Sequence, residues 1–176
     1  KQCLSKKGVV VFEEHYLGSR MKKGSYDQIY DKHIYIFYVS AIDKISKNYG
    51  LRLIEVLEQS THGGSMRYVL GRDGEHTINK SVDLKLKEEK KINLDNIESC
   101  IEFKKNCETS KKNLRSKILR LKNNDKKICG YEATSQSTNI LNYCNLESDL
   151  IDYICNTNTT KIRKLYTGIK VQKKDI

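Results

Sequence analysis

The sequence predicts an α/β chain in which two strand-and-helix regions flank a long charged helical stretch. Three observations predict it. Mostly apolar runs at 9–12, 51–56, 66–70 and 150–155 have strand length. Within 80–122, Ile97, Ile101, Cys107, Leu114, Ile118 and Leu121 keep a period near 3.6 amid Lys, Glu and Asn. Glycines at 50, 63, 64, 71, 74, 130 and 168 fall between these runs, where turns belong.

In chain order, Lys7-Gly8 turns into 9–12, read as a buried parallel strand because the run is continuously apolar. A helix is expected over 26–49, with Ile29, Ile36, Val39, Ile42 and Ile45 available as its apolar face and Gly50 suited to the position after its end. Strands at 51–56 and 66–70, joined through Thr61-His62-Gly63-Gly64-Ser65, read as an antiparallel hairpin. Gly71–Gly74 is a turn. The helical stretch follows, its later part capped by Asp95 with Glu98 three residues on and ended by Asn123-Asn124-Asp125. A short strand at 127–129 enters a hydroxyl-rich loop and a helix at 140–144. A buried strand at 150–155 and a turn at 166–168 complete the chain.

The 176 residues allow one domain or two small ones, and 38% hydrophobic with 31% charged content is globular rather than disordered. No apolar run reaches membrane-spanning length and no signal-peptide pattern opens the chain, so a cytoplasmic protein without a membrane role is expected. Its start at Lys1, within ten residues of an apolar strand, reads as a cut end. Net charge is +11, which favours an anionic partner. The lysines along 80–127 lack the aromatic interleaving of a single-strand binder, so no nucleic-acid partner is expected. Cysteines 3, 100, 107, 129, 144 and 155 form no Cys-x-x-Cys and stand at no zinc spacing from a histidine. They read as reduced residues, with no metal and no structural disulfide.

Three stretches carry residues suited to chemistry. Tyr26-Asp27-Gln28-Ile29-Tyr30-Asp31-Lys32-His33 places Tyr26, Tyr30 and His33 at i, i+4 and i+7 of the expected helix, one face on which an imidazole could act as base beside a phenol. The same spacing equally describes a Tyr/His face packed in a core. Glu13, Glu14, His15 and Tyr16 follow a strand, where open α/β sheets gather ligands, though a plain polar loop has this composition too. In 130–139, Thr134, Ser135, Ser137, Thr138 and Asn139 could offer donors to a phosphate between a strand and a helix start, or could simply cap that helix.

Asp27-Gln28-Ile29-Tyr30-x-x-His33, Thr61-His62-Gly63-Gly64-Ser65-Met66-Arg67 and the run from Gly130-Tyr131 through Tyr143-Cys144 occur in the order found in nucleotide-sugar C-methyltransferases. Together they resemble that family over nearly the whole chain. The resemblance implies that 1–71 holds the last strands and helix of a Rossmann-like methyltransferase sheet, 72–125 is a helical connector, and 126–176 is part of a second small Rossmann-like α/β lobe. It implies S-adenosylmethionine as methyl donor, a nucleotide-linked keto-sugar as substrate, and enolate formation before methyl transfer. His33 is then the base and Tyr30 its partner. The substrate side is made of His15, Tyr16, Thr61, His62, Gly63, Gly64, Ser65 and Arg67, with Tyr131, Thr134, Ser135, Ser137, Thr138 and Asn139 toward the nucleotide.

Departures from the family pattern accompany these matches. Lys32 stands where the family has Glu before the histidine, and a cation there weakens a neighbouring base. Glu132 replaces a turn glycine, Gln136 a usual Lys and Asn156 a usual Asp, and Pro is absent. No Gly-rich cofactor turn occurs in the chain. The chain is therefore expected to need a missing N-terminal half or a partner subunit for the cofactor. The other expectation is a non-catalytic sugar-nucleotide-binding or partner module descended from the family.

Overall fold

The computed structural model describes residues 3–30, 33–158 and 165–173. These fall into two compact units, one made of Lys1–Ser25 and Ile34–Phe103, the other of Tyr26–His33 and Lys104–Ile176. Each unit mixes helices with a small sheet and has its own apolar core.

In the first unit the strands are β1 (Val9–His15), β2 (Leu51–Gln59) and β3 (Ser65–Arg72). Their order is β1-β3-β2, and β3 runs antiparallel to both neighbours. Helix α1 (Leu17–Lys23) follows β1, α2 (Val39–Asn48) precedes β2, and α3 (Lys80–Lys91) follows β3. As the middle strand, β3 buries Met66, Tyr68 and Leu70 on one face, the two-residue period of a pleated sheet. A register shift between Leu53 and Glu55 lets β2 bury both Leu53 and Ile54. Val39 and Ile42 of α2 and Val82 of α3 complete this core. Each such fully buried apolar side chain contributes about 1.5–3 kcal/mol over leaving it in water.

Two expectations for this region are corrected. The run at 9–12 is an edge strand paired antiparallel to β3 rather than a buried parallel one, and Val9, Val10 and Val11 are exposed. The helix expected over 26–49 is short. Tyr26–Gln28 form a single 3-10 turn, 33–38 are not helical, and α2 begins only at Val39. Ile34-Tyr35-Ile36-Phe37-Tyr38 are β-branched and aromatic residues, which resist helix, and Phe37 bridges to Tyr16 instead. The start of α2 is fixed from far away. The buried Glu89 carboxylate of α3 accepts the backbone N–H groups of Val39 (2.6 Å) and Ser40 (2.8 Å) and the Ser40 hydroxyl. Tyr38, at the N-cap, supplies no side-chain bond of its own.

The expected helical stretch at 80–122 is two helices, α3 and α4 (Ile97–Asn123), with Asn93 at φ 48 in the break between them. The division between units falls inside α4. The second unit has β4 (Cys129–Tyr131), α5 (Ser135–Tyr143), β5 (Tyr153–Asn156), β6 (Leu165–Tyr166) and β7 (Ile169–Lys173). Its strand order is β4-β5-β7-β6. The first three run parallel and β6 pairs antiparallel with β7 across the 167–168 turn. β4, α5 and β5 thus form a strand–helix–parallel-strand unit. Helix α5 starts five residues before the expected 140, because Thr134 and Ser137 form a reciprocal capping box. β5 starts at Tyr153 rather than 150: Leu150 and Ile151 are buried in the preceding turn, and the Asp152 carboxylate accepts the Ile128 N–H and the Lys122 ammonium. Among the described residues no helix is long and apolar enough to cross a membrane.

Candidate functional site

The expected site residues fall into two groups, one in each unit. In the first unit they gather where β1 ends and the β2–β3 turn passes over it. Glu13 is the anchor. Its carboxylate accepts the Thr61 hydroxyl (2.6 Å), the Ser65 hydroxyl (2.5 Å) and the Arg67 guanidinium (3.0 Å). The Ser65 hydroxyl, then that of Thr61, hold the Glu13 carboxyl down to about 2, with the Arg67 charge adding to them. Glu13 is thus an anion at every physiological pH.

The turn itself is tied down from several sides. Gly64 has φ 128, and the Ser19 side chain lies where a Cβ would stand, so only glycine fits there. Its carbonyl accepts the Tyr16 N–H (3.3 Å), and the Gly63 carbonyl accepts the Lys23 ammonium (2.5 Å). His62 sits in the left-handed region at φ 50 and is exposed, while His15 is buried. Their rings lie 5.6 Å apart. A non-glycine residue held in that backbone region stores strain, a feature that clusters at functional sites. Tyr16 is buried. Burial first, then the nearby Glu89 carboxylate, push its phenol well above the ordinary range. Lys85 lies over its ring at 5.7 Å. Tyr16 is therefore a neutral, fixed wall of this corner.

In the second unit Tyr30 and His33 are brought together by a turn, not by a helical face. The His33 N–H bonds the Tyr30 carbonyl (3.0 Å) and the two rings meet edge-on at 5.1 Å. Tyr26 does not join them. It packs on Tyr143 (4.9 Å between rings) with its hydroxyl 3.5 Å from the Cys144 sulfur, and burial pushes its phenol up to about 12. The shared face of Tyr26, Tyr30 and His33 is thereby overturned, since it needed a helix the segment does not form. Asn139 holds this segment in place. Its side-chain amide donates to the carbonyls of Asp27 (3.0 Å) and Ile29 (2.6 Å). The sequence marked Asn139 as a phosphate donor, and nothing in its spacing pointed to a clamp on residues more than a hundred positions away. Asp31 and Lys32 lie outside the described residues.

The 130–139 loop uses most of its hydroxyls internally. Thr134 caps α5, and Ser137 accepts the Thr134 N–H (2.8 Å) while donating to the Glu132 carbonyl (3.0 Å). The Tyr166 phenol, which the sequence did not single out, sits on the first turn of α5 against the Thr134 carbonyl and the Thr138 and Ser137 hydroxyls. Ser135 and Tyr131 are exposed at the helix start and the strand end. Glu132 takes φ 67, the region that favours glycine.

A methyl-donor cofactor of the adenosyl-sulfonium kind does not fit the residues described. Such a cofactor needs a glycine turn presenting backbone N–H groups. The one Gly-Gly turn here instead uses the Gly64 N–H on the Thr61 carbonyl (2.9 Å) and both glycine carbonyls as acceptors. No group of His, Cys, Asp or Glu that could hold a metal ion occurs among the described residues.

With this geometry in view, the comparisons with known proteins are specific. The chain is similar to the C-methyltransferase NovU of Streptomyces niveus, with 23% identity over 169 residues. That span takes in 96% of this chain, including Tyr26–His33, and 40% of the relative, so the chain corresponds to about two-fifths of the relative's length. A family model described as the C-methyltransferase C-terminal domain matches residues 60–173, from the β2–β3 turn through β7. The chain belongs to the C-methyltransferase C-terminal domain family.

Proposed function

We propose that this chain forms the substrate-side portion of a C-methyltransferase acting on a carbon of a nucleotide-linked keto-sugar, with the Rossmann-like character of that family. The observation that carries the reading is the Tyr30–His33 pair, a phenol and an imidazole edge-on at 5.1 Å. In this role the His33 imidazole takes a proton from the carbon beside the ketone. The Tyr30 hydroxyl donates to the oxygen that becomes an enolate, stabilising the charge as it develops. Asn139 holds the segment through its bonds to the Asp27 and Ile29 carbonyls. Methyl transfer requires a donor bound by residues other than those described, so the proton-transfer half alone is assigned to this chain.

A second reading is favoured by one observation. The α5 hydroxyls are engaged by their cap and by Tyr166, which weakens the diphosphate role of 130–139 and fits a non-catalytic binding or partner module. Deuterium exchange at the carbon beside the ketone of a nucleoside diphosphate keto-sugar, run in D2O with this chain, separates the two. The catalytic reading expects exchange that His33→Gln lowers on the order of a hundredfold, with weak substrate binding by calorimetry and none of S-adenosylmethionine. Binding without exchange would establish the binding module, and binding of neither ligand would sink both ligand-binding readings and leave a partner scaffold.

A further inference from the structure

Two cysteines that the proposed chemistry does not use stand side by side in the second unit. Cys129 opens β4 and Cys155 lies in β5, the neighbouring parallel strand, with register pairs Cys129 to Tyr153 and Tyr131 to Cys155. The two-residue period places both on the same face of the sheet, opposite to the buried Ile154 and Asn156. Their sulfurs are 3.4 Å apart. Cys129 is exposed and Cys155 is half-buried. Cys107 and Cys144, in contrast, are buried.

We propose that Cys129 and Cys155 are a thiol–disulfide modification site that closes reversibly with a small disulfide such as glutathione disulfide. The exposed Cys129 thiolate attacks one sulfur of the oxidant, releasing one glutathione thiolate and leaving a mixed disulfide. The Cys155 thiolate then attacks the Cys129 sulfur, and the second glutathione thiolate leaves. Two protein thiols have lost two protons and two electrons, and the two released glutathione thiolates take up those protons to become two glutathione thiols. Because the pair is diagonal in the register rather than directly opposite, drawing the sulfurs to about 2.05 Å shifts β4 along β5. A bond that needs such a shift is easily reduced, the property of a switch rather than a staple.

The bond would act on the loop that leaves β4. The Glu132 N–H donates to the Cys155 carbonyl (2.8 Å), and the Glu132 carbonyl accepts the Ser137 hydroxyl of α5. From α5, Asn139 reaches the segment that carries Tyr30 and His33. Oxidation thus pulls at one end of a chain of contacts whose other end is the proposed base.

The test is incubation of the intact chain with excess glutathione disulfide, followed by thiol counting in denaturant and peptide mapping. The expected product has lost two of its six thiols, is lighter by two hydrogen atoms, carries a Cys129–Cys155 linkage, and regains all thiols with dithiothreitol. Cys155→Ser should instead accumulate a stable glutathione adduct on Cys129, because the resolving thiol is gone. An adduct on Cys129 of the unaltered chain as persistent as in Cys155→Ser would overturn the proposal, as would linkage of any other pair or retention of all thiols. Amide exchange at Glu132 should change on oxidation, and unchanged exchange would remove the coupling to the loop.

Discussion

Asn139 is the residue on which the proposed base most depends. Its amide makes two hydrogen bonds to backbone carbonyls of the Tyr26–His33 segment, together contributing about 1–3 kcal/mol. Asn139→Ala and Asn139→Asp should both release the segment, since a carboxylate cannot donate to a carbonyl. The expected sign is loss of the nuclear Overhauser contact between the Tyr30 and His33 rings, with the remainder of the second unit still folded. Glu13 gives a pH prediction of definite sign. Its folded value lies near 2, well below the ordinary glutamate range, so its contribution is fully present above the unfolded value and fades as pH falls toward 2. The difference in urea midpoint between the natural chain and Glu13→Gln should therefore be largest near pH 6 and shrink on acidification. A gap that widens at low pH would contradict the network around Glu13. Glu132 is the converse case, a side chain held at φ 67, and Glu132→Gly should stabilise the chain by about 1 kcal/mol in thermal unfolding.

Among the elements, helix starts give the sharpest contrasts. Helix α5 carries its cap in its own sequence, and Thr134→Ala should cost about 1 kcal/mol by denaturant unfolding. Helix α2 borrows its cap from Glu89, so Glu89→Ala removes a buried acceptor of two N–H groups and a hydroxyl. That should cost roughly 2–3 kcal/mol, more than the local cap, because the orphaned donors stay buried. The same contrast explains what was legible in the sequence. The β2–β3 hairpin could be read because Gly63 and Gly64 declare their turn locally. The long helix α4 could be read because its periodicity is local as well. The start of α2 could not be read, since its determinant lies fifty residues downstream. Tyr26 looked like a member of the catalytic face because its real neighbours, Tyr143 and Cys144, are distant in sequence. The pairing of Tyr30 with His33 was legible, but through a turn rather than a helix.

For the whole chain, the charge of +11 outweighs the surface ion pairs. Pairs such as Arg52 with Asp73 and Lys6 with Glu75 contribute only a few tenths of a kcal/mol each, whereas like-charge repulsion is summed over the molecule. Salt screens both, and the larger sum should prevail. The melting temperature should rise on going from low to moderate sodium chloride. A fall would mean the ion pairs dominate. The reach of Glu89 across the sequence also has a meaning in time. A helix whose first turn is closed by a carboxylate fifty positions away completes that turn only once α3 has docked, and we predict that this docking follows the folding barrier. Glu89→Ala should then leave the refolding rate of the first unit nearly unchanged while unfolding accelerates about thirtyfold or more, the whole of its cost appearing as a shorter native lifetime.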